Sequence, residues 1–170
     1  MGYYVNSISQ GVHSEGVHQG RVATVVRFSG NGLRSNEHFE TPDLLADRVC
    51  EWWFGERHHR MVVLTGGTGQ VDVDLIDKLK AWNLFVLLET AGVAPVPTGV
   101  DWISVTPRAP YEVKVFRCHE LILPYPQDGA HPDRYDGLPA DWRWLRPAGP
   151  ENAKLAQKFC LSHPRWRLAA

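Results

Sequence analysis

The chain has 170 residues, 44% hydrophobic and 22% charged, with a formal net charge of −1 at pH 7. That is enough to build the core of one soluble globular domain, and too nearly neutral to draw nucleic acid or an anionic membrane by a global field. No apolar run approaches the roughly 20 residues that cross a bilayer. The opening MGYYVNSISQGVHSEG lacks a signal-peptide pattern, and Asn6 stands where a myristoylation pattern needs Ser or Thr. A cytoplasmic protein is expected.

In chain order, the β-branched run VATVVRF (22–28) predicts a strand, followed by the loop RFSGNGLRSNEHFETPD (27–43). Thr41 then caps a helix with Pro42 at its first position, and Leu45, Val49, Trp52 and Trp53 form one apolar stripe that stops at Gly55. A buried-strand run, RMVVLTGG (60–67), precedes a second helix that starts at Asp72 or Asp74 and buries Leu75, Ile76, Leu79 and Trp82. Three further strands are expected at 84–90, 101–107 and 119–125. The Pro-rich stretch 124–144 reads as a surface excursion, and a third helix, about 150–162, is expected to bury Leu155, Ala156, Phe159 and Cys160.

This alternation implies one α/β domain over 1–170, a mainly parallel sheet with crossover helices, either doubly wound or a partial barrel. In both, ligands meet the carboxyl ends of the strands, which selects the loops 29–36, 65–70, 89–92 and 105–109. Within the second, Gly66-Gly67-Thr68-Gly69 has the glycines of a phosphate cradle but no P-loop lysine, so a tight turn is the favoured reading. The three cysteines, Cys50, Cys118 and Cys160, have no metal-ligand spacing, and the adjacent His58 and His59 diverge on any regular element. Near the C-terminus Trp142, Trp144 and Trp166 with Arg143, Arg146, Arg165 and Arg167 make a basic aromatic strip. It could stack on bases or hold a partner protein, but inherited packing is the stronger reading, so nucleic acid and membrane are not expected partners.

The order of motifs resembles the 7-carboxy-7-deazaguanine synthase family of radical S-adenosylmethionine enzymes. GVHSEGVHQGRVATVVRFSGNGL is similar to the family opening TLQGEG…GRP…RFAGCNLW, VVLTGGTGQVD to CTGGEPLLQ, and LLETAG…VPTGVDWISVTPRA to IETNGT…DWICVSPKA. HELILPYPQD and LAQKFCLSHPRWRLA also fall in place. The resemblance implies a shortened partial (β/α) barrel of radical S-adenosylmethionine type. Its chemistry needs three cysteine thiolates around a four-iron cluster. Against the family pattern, Asn31 replaces the first cysteine. The segment with the other two, and with the magnesium-binding residues, is missing between Asn36 and Thr41. Thr68 replaces the glutamate that meets the cofactor's ammonium, Ala91 replaces an asparagine, Arg108 replaces a lysine, and the chain stops before the family's C-terminal tail.

No cluster, S-adenosylmethionine or magnesium is therefore expected. The retained positions lie on the substrate side of the resemblance. Glu15 is suited to accept N–H donors from a pterin- or guanine-like ring, and Arg27 is suited to a ligand carboxylate; the others are Gly66, Gly67, Glu89, Thr90, Ser104 and Arg108, while His13 stands two places before Glu15. The expectation is a catalytically defective member that binds a deazapurine- or pterin-like molecule or a partner protein. The alternatives are non-radical chemistry in the old pocket and an accessory subunit of queuosine synthesis. The family resemblance implies a homodimer.

Overall fold

The run VATVVRF does form a strand, Val22–Phe28, but it is the second rather than the first. In the computed structural model, which describes residues 2–30 and 32–169, the strand β1 (Tyr3–Val12) precedes it as an antiparallel neighbour of β2 (Val22–Phe28). Sequence periodicity hides β1 because its register shifts between Val5 and Ser7. Tyr3, Val5 and Ile8 all turn inward, and one extra residue between the last two breaks the strict alternation that marks a half-buried strand.

Two compact units divide the chain: Met1–Ser14, His18–Glu89 and Val96–Trp102 form the first, and Glu15–Val17, Thr90–Pro95 and Ile103–Ala170 the second. In the first, β3 (Glu37–Phe39), β1, β2, β4 (Met61–Gly66) and β5 (Phe85–Thr90) lie side by side in that order. The strands β2, β4 and β5 run parallel, linked by α1 (Pro42–Glu51) and α2 (Val73–Ala81). Each helix starts where its cap residue predicts. Thr41 Oγ1 accepts from Leu44 N at 3.4 Å and Asp72 Oδ1 from Leu75 N at 2.9 Å, contacts worth about 1 kcal/mol each. Leu45, Val49, Leu75, Ile76 and Leu79 are buried against Val26, Phe28, Val62, Leu64 and Val86. Of the tryptophans expected to extend these stripes, Trp52 does pack against this core, whereas Trp82 does not. Trp52 and Trp82 are C-cap residues, one step past the helices, and Trp82 is 41% exposed.

In the second unit β6 (Trp102–Val105), β7 (Cys118–Tyr125), β8 (Ala140–Pro147) and β9 (Arg167–Leu168) are parallel neighbours. Only the last connection contains an α-helix, α3 (Ala153–Ser162). The stretch 124–144 is a surface excursion only in its middle, where residues 126–139 are mostly exposed: its ends belong to β7 and β8, and a 3-10 turn at Pro132–Tyr135 lies between them, with Ala130 and Tyr135 buried. Of the four residues expected inside the third helix only Ala156 is fully buried; Leu155 is 45% exposed, while Phe159 stacks on His163 with ring centroids 4.0 Å apart. The architecture is the expected mixed α/β class with mainly parallel, open strand arrays. Among the described residues there are three α-helices, and none is long and apolar enough to cross a membrane.

Candidate functional site

In the first unit the loop after β2 is short and tied down. Ser29 Oγ donates to Tyr4 O at 2.9 Å, Asn36 Nδ2 to Asn6 O at 2.6 Å, and Asn6 Nδ2 to Arg34 O at 2.8 Å. From there β3 leads directly to the Thr41 cap. Asn31, the residue at the expected cysteine position, lies outside the described residues.

The neighbouring glycine turn has a steric purpose. Gly66 has φ +84°, and a Cβ there would lie 2.5 Å from Phe28 O; one on Gly67 would lie 1.9 Å from Ser29 O. Gly67 N donates to Phe28 O at 3.1 Å, so its N–H is committed to the backbone. These facts support the tight-turn reading over a phosphate cradle. Gln70, which sequence reading passed over, joins the two turns and β1. Its Oε1 accepts from Tyr4 N at 2.7 Å and its Nε2 donates to Ser29 O at 2.9 Å. Arg27 is exposed on β2, its stem beside Gly66. Glu89, at the end of β5, has its Oε1 3.8 Å from Nδ1 of the buried His13.

The second unit brings Glu15 and Ser104 into one neighbourhood through a residue that sequence reading missed, Glu120. Parallel register places Ser104, Glu120 and Trp142 in one row across β6, β7 and β8, so they share a face. Glu120 is 0% exposed. Its Oε2 accepts from Val17 N at 3.0 Å, and its Oε1 has no hydrogen-bond partner among the described residues. Gly16, with φ +64°, lies directly against this carboxylate: a Cβ there would fall 2.1 Å from Oε2. One residue earlier, Glu15 Oε1 accepts a short hydrogen bond from Arg146 Nη1, both side chains about one-third exposed. The signal for Glu120 was an acidic residue inside the apolar run HELILPY, where a charge is costly unless partnered.

Thr90 and Arg108 act locally. Thr90 Oγ1 accepts from Gly92 N at 3.1 Å and Thr90 O from Thr106 N at 2.8 Å, while the exposed Arg108 accepts from Tyr111 N through its carbonyl at 3.0 Å. The C-terminal strip is internally engaged. Arg167 lies 3.9 Å over the Trp142 ring, Arg143 donates to Tyr135 O at 3.1 Å and Leu138 O at 2.6 Å, and Arg165 pairs with Asp136. Packing accounts for these side chains.

The thiols are dispersed. Cys50 is the only cysteine of the first unit and lies on α1. In the second, Cys118 is on β7 with Sγ 3.8 Å from Pro139 O, and Cys160 is on α3. Burial raises all three thiols above their ordinary value, Cys118 up to about 12, which disfavours the thiolate that binds iron. Among the described residues no three His, Cys, Asp or Glu side chains converge on a metal position.

No family model matches the chain, but full-length relatives do. It is 36% identical to 7-carboxy-7-deazaguanine synthase of Bradyrhizobium diazoefficiens, covering 99% of this chain and 95% of that one. It is 30% identical to the enzyme of that name from Bacteroides thetaiotaomicron, covering 97% and 92%. The first alignment runs over 200 positions against 170 residues here, so at least 30 positions are filled by the relative alone; the second runs over 170. The crystal structure of QueE from Escherichia coli superposes with a TM-score of 0.77 at 22% identity, over 99% of this chain and 93% of that one, and shows the same fold. The chain is a member of the 7-carboxy-7-deazaguanine synthase family.

Proposed function

We propose that this chain is a catalytically defective member of its family that works by binding a purine- or pterin-like heterocycle, without an iron-sulfur cluster, S-adenosylmethionine or magnesium. The observation that carries the binding reading is Glu120. A fully buried carboxylate with one unpartnered oxygen is costly to fold, and it adjoins the 15–17 segment that presents Glu15. Through Val17 N it fixes that segment, so that Glu15, about one-third exposed, is the carboxylate presented to a ring edge rich in N–H donors. The loss of radical chemistry is supported by residue type. A four-iron cluster of this kind needs three thiolates from one loop, whereas the loop after β2 has no cysteine and the dispersed thiols are held protonated by burial. The exposed Tyr4 stacks on His38 at 4.4 Å, and residues 34–38 between β2 and α1 are polar, which favours a small ligand over a partner protein at the shortened loop.

Two measurements test this reading. Anaerobic reconstitution with iron and sulfide should leave sub-stoichiometric metal and no cleavage of S-adenosylmethionine; a stoichiometric cluster would sink the proposal. Calorimetry with guanine, 7-deazaguanines and reduced pterins should detect binding that falls at least tenfold in Glu15→Gln, the expected cost of a lost charged acceptor.

A second reading, non-radical acid–base chemistry, has one observation behind it: the buried His13 lies within 3.8 Å of Glu89, a base and an orienting carboxylate. Turnover of a bound ligand that vanishes in His13→Ala would move the assignment to an enzyme.

A further inference from the structure

At the amino end of β4, the opposite end of that strand from Gly66, the first unit has a cleft of about 450 Å3, within the roughly 300–1,000 Å3 of small-molecule sites. Cys50 stands in its wall on the last turn of α1, Trp53 and Arg57 in the loop that follows, Arg60 immediately before β4, and Trp82 at the C-cap of α2. Arg60 is the group that folding leaves incomplete. It is only 9% exposed, and its Nη2 donates to Trp82 O, which caps α2 with one of its N–H donors. Its Nε is buried with no hydrogen-bond partner among the described residues. A buried guanidinium with a donor left over is costly until an acceptor completes it. Cys50 does not supply one: burial keeps its thiol protonated even with Arg60 beside it, and a thiol is a weak acceptor.

The charge and the rings around Arg60 narrow the ligand. Glu51, at the rim, accepts from Arg48 Nη1 at 3.0 Å. That leaves Arg57 and Arg60 against the single carboxylate of Asp47, a balance that favours an anion. Trp53 commits its Nε1 to Glu56 O at 2.7 Å, and Trp82 is 41% exposed, so both leave ring surface to the cleft. We propose that this cleft is a second ligand site, which takes a nucleoside monophosphate: the phosphate on Arg60 and Arg57, the base against the tryptophan rings, and a ribose hydroxyl donating to Asp47. Inorganic phosphate would leave the rings bare, and an uncharged nucleoside would leave Arg60 without its acceptor. The site goes beyond the function proposed above, since it shares no residue with the Glu15 and Glu120 neighbourhood.

The test is calorimetric titration of the full chain with AMP, adenosine and inorganic phosphate. AMP should bind with a Kd below about 1 mM, and each of the other two, lacking one half of the contacts, about tenfold more weakly or worse. Arg60→Gln should abolish AMP binding. Because that side chain is buried, the exposed positions carry the test if the variant does not fold: Arg57→Gln and Trp82→Ala should each weaken AMP about tenfold with a far-UV spectrum and melting temperature like those of the wild type. Cys50 gives a second readout. At about tenfold over its Kd, AMP should slow iodoacetamide alkylation of Cys50 about tenfold, followed by peptide mass spectrometry, and leave Cys160 on α3 unaffected. No AMP binding, equal affinity for adenosine or phosphate, unchanged affinity in both exposed variants, or no protection of Cys50 would each overturn the proposal. AMP binding that is lost in Glu15→Gln would place the nucleotide in the second unit, which overturns this site and leaves the binding reading above standing.

Discussion

Gly16→Ala would test the contact that shapes the candidate site. The glycine has φ +64°, and a Cβ would lie 2.1 Å from Glu120 Oε2 and 2.5 Å from Oε1. Alanine in a left-handed conformation costs about 1 kcal/mol. The larger effect is steric. The carboxylate must move by more than 1 Å to reach ordinary contact distance, which breaks its 3.0 Å hydrogen bond from Val17 N. Losing a charged, buried hydrogen bond costs about 2 kcal/mol, so the substitution should destabilise the protein by about 3 kcal/mol. The clash also predicts non-additivity. In a Glu120→Ala background the obstacle is gone and only the conformational cost of about 1 kcal/mol remains, which leaves a coupling of about 2 kcal/mol. Urea unfolding of the wild type, both single variants and the double variant, followed by circular dichroism, measures this cycle. A Gly16→Ala variant within 0.5 kcal/mol of the wild type, or costs that simply add, would refute the argument that Gly16 and Glu120 are packed face to face.

Gly67→Ala should be worse tolerated than Gly69→Ala. A Cβ at 67 would lie 1.9 Å from Ser29 O, whereas nothing lies within 4 Å of one at 69; a melting temperature at least 10 °C lower for the first, with the second near wild type, is the expected result, and equal effects would overturn the tight-turn account. Stability should also fall in alkaline solution through Cys118. Burial pushes its thiol from about 9 to about 12, so the unfolded chain loses this proton first. The stabilisation is complete below about pH 9 and is lost as pH climbs towards 12, with a slope approaching 1.4 kcal/mol per unit. Urea midpoints measured from pH 8 to 10.5 should fall less steeply in Cys118→Val than in the wild type; parallel curves would contradict the assignment.

Local patterns in the sequence determined the helices of the first unit and the parallel strands that flank them. Thr41 and Asp72 are cap residues with their own acceptor atoms, and Leu45, Val49, Leu75 and Leu79 repeat at helical spacing, so each signal lies within one or two turns of chain. The ordered motifs around Glu15, Gly66, Glu89 and Ser104 likewise determined the family. Tertiary structure alone decided β1, whose register shift breaks its periodicity, and β8 within the Pro-rich stretch. It also decided what Glu15 touches. A partner 131 residues away leaves no trace in local spacing, because an ion pair between strand ends depends on register and crossover rather than on neighbouring residues. Glu120 shows both sides: its acidic residue in an apolar run is visible in the sequence, but the glycine that covers it and the oxygen left without a partner exist only once the 15–17 segment folds onto β7.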